Sequence, residues 1–202
     1  MVTRIVYDTE FIDDGVTITP LSVAMRRSDG AELYAVTDDL SAMARAADSG
    51  WLRENVLRWL PVTIEYRDGY GVLNAHVKWD DEHPDYAKIT SLEAIREMVE
   101  DFVLAKPDPE LWAYYAAYDH VLYAQLFGPM SELPDGMPMF TLDIKQLCVS
   151  LGDPKLPELP EELVAAHFGE RMEHHALYDV YEEEYRLNWL RSDERMMAQL
   201  RR

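Results

Sequence analysis

The chain has 202 residues, 48% hydrophobic and 11% aromatic, which suits one domain with a core that needs no disulfide or metal staple and argues against disorder. It carries 19 basic residues against 38 acidic ones, a net charge of −19. That balance disfavours a protein that neutralises a long run of nucleic-acid phosphates, and leaves small molecules, proteins, or a short nucleic-acid end met by metal ions.

The first stretch, residues 3–12, predicts a strand. Side chains alternate along a strand, so Asp8 and Glu10 share one face while Tyr7, Thr9 and Phe11 share the other. Two like charges side by side are costly where partly buried, so either that face is open to water or a cation lies between them. Asp13-Asp14-Gly15 supplies a turn into TITPLSVAMR, and Ser28-Asp29-Gly30 repeats the device before AELYAVTDD, predicting a three-strand antiparallel meander. Residues 41–60 read as helical in their second half, where Trp51, Leu52, Val56, Trp59 and Leu60 recur near helical spacing. Residues 62–79 predict a hairpin turning at Asp68 and Gly69.

Ser91 is the expected N-cap of a helix with Leu92, Ile95, Val99 and Phe102 on one face, ending before Lys106 and Pro107. LWAYYA then reads as a buried strand, with Trp112 and Tyr115 as core residues, and DHVLYAQLFG as a helix closed by Gly128 and Pro129. Asp119 falls at that strand-to-helix junction, where capping alone would explain it. MFTLDIKQLCVSLG predicts a short strand into a helix, GDPKLPELP a proline-rich loop, and residues 173–190 a last helix whose Glu182-Glu183-Glu184 run is expected on an exposed face. Strands first, then mixed strand and helix, imply a layered α/β fold with a mixed sheet. The lone Cys148 fits a reducing compartment as a buried small hydrophobe. No apolar run approaches the roughly 18 residues of a membrane span, and the start MVTRIVYDTE has no signal-peptide pattern, so a cytoplasmic protein with no membrane partner is expected.

Asp8 and Glu10, Asp119, and HHALYD at 174–179 are the places where carboxylates need explaining. Oxygen ligands from separate elements suit magnesium or manganese, two such ions suit phosphodiester hydrolysis, and a nearby histidine suits proton abstraction from water. Each part alone also fits a solvated acid or histidine. Together, YDTEF, AYDHV and HHALYD resemble the three motifs of the DEDD superfamily of 3′-5′ exonucleases, in its histidine-type, RNase T-like branch. The chain is similar to a small mycobacterial exoribonuclease of that branch around YDTEFI, LWA, AYDHV, QLFGPM and HHALYD.

The resemblance implies a three-layer RNase H-like fold, in which a mixed central sheet is flanked by helices, as one exonuclease domain over residues 1–202 with the 62–79 hairpin as an insertion. It implies two Mg2+ or Mn2+ ions held by Asp8, Glu10, Asp119 and Asp179, with Glu10 and His174 catalytic. His174 stands five residues before Asp179, the spacing of the histidine-type base, and His175 stands where the tyrosine-type branch has tyrosine. The implied substrate is an RNA 3′ end, with a DNA 3′ end or a noncatalytic protein-binding role as alternatives, and the implied assembly is a homodimer. Phe11 either stacks on the terminal base or points into the core with Tyr7 and Thr9. Arg26, Arg27, Arg201 and Arg202 are expected as solvated surface charge.

Overall fold

The computed structural model describes residues 2–69 and 72–192. Its meander is formed by β1 (Thr3–Asp13), β2 (Ile18–Arg27) and β3 (Glu32–Thr37), antiparallel throughout. Helices α1 (Leu40–Asp48) and α2 (Gly50–Asn55) follow, then the hairpin β4 (Val62–Gly69) and β5 (Val72–Trp79). The rest of the chain supplies β6 (Ile89–Thr90), α3 (Leu92–Leu104), β7 (Pro109–Ala113), α4 (Ala117–Gln125), β8 (Leu142–Asp143), α5 (Ile144–Ser150), α6 (Glu161–His167) and α7 (Ala176–Ser192). The main sheet has the order β6-β3-β2-β1-β7-β8, and β7 pairs with β1 in parallel. Strand β1 therefore sits between an antiparallel and a parallel neighbour, in the interior of a mixed sheet.

The period of two along β1 separates two cores. Val6 faces the layer of α1, α5 and α7, packing with Met43, Ile144 and Val180. Ile5 and Tyr7 face α3 and α4, packing with Val99, Val103 and Tyr123. Helix, sheet and helix thus make three layers. Among the described residues no helix is long and apolar enough to cross a membrane.

Several expectations change on contact with the fold. The first half of 41–60 is also helical, because the Asp39 carboxylate accepts from the N–H groups of Ser41 and Ala42 and caps α1, a device worth about 1 kcal/mol. Ser91 caps α3 as expected, its Oγ accepting from Ala94 N–H at 3.2 Å. The hairpin forms, but Asp68 and Gly69 lie within β4, and the last registered pair is Gly69 with Val72. Its Val62, Ile64, Val77 and Trp79 pack against the α1-side core.

Tyr115 is not a core residue: it follows β7 in left-handed backbone with φ 58°, and its side chain is exposed. Trp112 is buried as expected. Arg26 is paired with Glu32 and Glu184, and Arg27 is buried against Asp29 and the Phe102 carbonyl, so neither is free surface charge. Arg201 and Arg202 lie outside the described residues. The largest departure is the Glu182-Glu183-Glu184 run: Glu182 and Glu183 are buried, because α7 packs against β1 and β2 over this part of its length.

Candidate active site

Asp8 and Glu10 leave β1 on the face turned toward α7, one pair apart on the pleat. The strand register shifts between Glu10 and Phe11, an irregularity of the kind that re-aims the next side chain. Phe11 is only half-buried and borders the cleft, its ring stacked on Tyr118 at 5.9 Å and 17°.

Asp119 is the third residue of α4, whose N-cap is Ala116 with no side-chain cap bond. Its carboxylate is spent on β1 instead: Oδ1 accepts from Thr9 N–H at 3.0 Å and from Thr9 Oγ1 at 2.6 Å. Those two bonds tie the helix start to the strand between Asp8 and Glu10.

His174 precedes α7 in left-handed backbone, φ 66°, a conformation that costs a non-glycine residue about 1–3 kcal/mol unless its surroundings hold it. They do so here: the His174 N–H donates to Asp179 Oδ2 at 2.9 Å, and Trp51 meets the His174 ring edge-on at 4.8 Å. Glu10, His174 and Asp179 bring one ligand atom each within 4.8 Å of one another. Asp8 and Asp119 line the same cleft, a space of about 260 Å³ that adjoins a second of about 380 Å³ reaching along α7 to Glu183.

The paired histidines diverge completely. His175 is buried against Tyr34, its Nε2 lies 3.2 Å from Asp85 Oδ2, and its Nδ1 accepts from Tyr178 N–H at 3.4 Å. An accepting Nδ1 leaves Nε2 as the donor to Asp85, so His175 clamps the loop before β6 to the start of α7 and His174 alone faces the cleft.

Motif reading missed three contributions. Trp51, in α2, and Tyr115, in the turn after β7, line the aromatic side of the cleft, and neither stands in a motif. Glu183 is buried beside Asp8, and its one available signal is position, four residues after Asp179 and so on the same helix face.

No family model matches the chain. A 3′-5′ exoribonuclease of Mycobacterium tuberculosis, recorded from strains CDC 1551 and H37Rv, is 36% identical over 162 residues, covering 79% of this chain and 82% of the relative. The chain belongs to this 3′-5′ exoribonuclease family. Among solved structures, E. coli exonuclease I in complex with a dT13 oligonucleotide superposes with a TM-score of 0.57 at 14% identity, over 99% of this chain and 43% of that one. Exonuclease I from Methylocaldum szegediense gives 0.52 at 16% identity, over 95% of this chain and 41% of that one. The chain therefore spans less than half of exonuclease I, and the likeness is one of fold, the RNase H-like sheet with helices on both faces.

The charges of this family member's cleft fit a divalent cation. Burial raises the Asp8 carboxyl well above its ordinary value, and Asp119, Glu183, Glu10 and Asp179 push it further. Burial and then Asp179 do the same to Glu10. Asp119 is pushed up to about 6 by burial, although the Thr9 bonds oppose the shift. Asp179 is raised to about 8 by burial, opposed by the His174 N–H. Asp8 Oδ2 is buried with no hydrogen-bond partner among the described residues. Such a set is short of positive charge, and hard oxygen ligands of this kind suit Mg2+ or Mn2+, whose binding displaces protons.

Proposed function

We propose that this protein is a metal-dependent exoribonuclease that removes 5′-mononucleotides from single-stranded 3′ ends or 3′ overhangs of RNA. The observation that carries the reading is the approach of Glu10, His174 and Asp179 to within 4.8 Å, in a cleft where Asp8 Oδ2 is buried and unpaired. Asp8, Glu10, Asp119 and Asp179 would hold two Mg2+ or Mn2+ ions, which when bound neutralise developing charge at the phosphate and activate water.

His174 takes the proton of the attacking water, and the bond from phosphorus to the 3′-oxygen of the preceding nucleotide breaks, leaving the phosphate on the 5′ side of the released unit. Asp179 holds the His174 main chain, so one carboxylate both binds and orients. Phe11, supported by Tyr118, offers a stacking face to the terminal base, which accepts any base because each has a π face. A short aromatic and acidic cleft gripping one or two nucleotides through ions is compatible with a net charge of −19, which a long basic groove would not be. A single catalytic domain, a cytoplasmic location, a homodimer and an inserted 62–79 hairpin complete the reading; chain length supports the first, the lone Cys148 the second, and family resemblance the last two.

The second reading is the same hydrolysis on DNA, favoured by the fold shared with exonuclease I, which was crystallised with an oligothymidylate. The test is release of mononucleotides from 3′-tailed RNA and matched DNA with Mn2+, comparing the parent with Asp8→Ala and with EDTA treatment. RNA-selective release, lost in the variant and with EDTA, is expected. Equal release from DNA moves the substrate to DNA, full activity in EDTA overturns the metal reading, and no release from either leaves a noncatalytic binding role.

A further inference from the structure

We propose that Glu183 is a fifth metal-ligating carboxylate of this cleft, completing with Asp8 the coordination of one of the two divalent ions. The inference rests on the metal-dependent reading above and adds a residue that no motif contains.

The three consecutive glutamates of α7 are spent differently. Glu182 accepts from Leu159 N–H at 3.1 Å and pairs with Arg186 at 2.7 Å. Glu184 points to the other side and pairs with Arg26. Glu183, 5% exposed, is only part satisfied: the Tyr114 N–H and the Arg186 charge act on its carboxylate, but its Oε2 is buried without a hydrogen-bond partner among the described residues. It lines the same cleft as Asp8, His174 and Asp179, one helical turn beyond Asp179.

A buried carboxylate with an unmatched oxygen is costly, and replacing it by an apolar residue of similar volume would ordinarily be neutral or stabilising. Asp8 Oδ2 is orphaned in the same way. Apart from burial, the charges acting most strongly on Asp8 are those of Asp119 and then Glu183, whereas Glu10 feels Asp179 first. Asp8 on β1 and Glu183 on α7 thus each keep an unmatched oxygen and line one space, which His174 and Asp179 also border. A divalent ion there satisfies both, because each carboxylate has an oxygen free to ligate.

The experiment is Mn2+ binding to the full chain without RNA, by calorimetry and by electron paramagnetic resonance of free Mn2+, for the parent, Glu183→Gln and Glu184→Gln. Parent binding of two Mn2+ is expected, with one of them weakened about tenfold or more in Glu183→Gln and neither changed beyond twofold in Glu184→Gln. Two ions bound to Glu183→Gln with parent affinities overturn the inference and leave the exoribonuclease reading intact. No Mn2+ binding by the parent overturns both. If Glu183→Gln does not fold, Glu183→Asp is measured in the same way: the shortened side chain is expected to weaken one ion, and parent affinity overturns the proposal.

Discussion

Strand β1 and the turn after it carry two acidic pairs three residues apart, Asp8 with Glu10 and Asp13 with Asp14, and the fold treats them oppositely. Asp13 and Asp14 sit at the exposed turn into β2, where Asp13 Oδ1 accepts from Gly15 N–H at 2.8 Å. Asp14 accepts from the N–H groups of Thr17 and Val16 and from the Thr17 hydroxyl, and these bonds hold its carboxyl below the ordinary range. Asp8 and Glu10 lie under α7, where burial and neighbouring carboxylates raise them. An acidic residue thus serves as a turn lock where N–H groups surround it, and stays short of compensating charge where they do not.

The comparison breaks most directly by neutralising each pair. Glu10→Gln is expected to lower turnover of 3′-tailed RNA by about a thousandfold, the several kcal/mol that charge stabilisation at the phosphate supplies. Asp14→Asn should leave turnover within about twofold, since it lies outside the cleft, and should lower only the melting temperature. Similar losses in both variants would mean that the turn, and not the cleft, supports activity.

Next in size are the adjacent histidines. His174→Ala should lower turnover by about 10²–10⁴-fold with the fold intact, the range of a lost general base. His175→Ala should instead lower the melting temperature, by releasing Asp85 and Tyr178 N–H, and leave the shape of the pH-rate profile unchanged. A smaller effect is expected for Phe11→Ala, roughly a tenfold rise in KM, as stacking on one base is worth about 1–3 kcal/mol.

The buried acids of the cleft and the exposed acid of the turn also predict opposite pH responses of stability. Asp119 and Asp179 rise from 3.8 to about 6 and about 8, so the folded state binds more protons there than the unfolded chain. Their contribution is fully present below about pH 4 and is lost as pH rises toward 8. Asp14, held low, contributes above its unfolded value and loses that contribution only as acid is added. In EDTA the melting temperature should therefore fall from about pH 5 to 8. Saturating Mn2+ should restore it by about 5–10 °C at pH 8, and by less at pH 5, where protons compete for the ligands. A metal-free melting temperature that rises over this interval would contradict the burial of these acids.

Local pattern was enough for the meander, the Ser91 cap, the helix ending before Pro107 and the three acidic motifs, because strand alternation, capping and turn chemistry act over a few residues. The fold class was legible for the same reason, and family resemblance named the site residues. The sequence could not say that Glu183 is buried while Glu184 is paired with Arg26, because a charge run looks the same on any face of a helix. It favoured His174 over His175 only through the family spacing, and could not choose between a stacking and a core Phe11. Those outcomes depend on which elements meet: α7 against β1, Asp85 against His175, and Tyr118 against Phe11 beyond the register shift. Sequence by itself determined where the carboxylates stand along the chain, and only tertiary packing decided which lose water and N–H partners, since desolvation is a property of what covers a side chain.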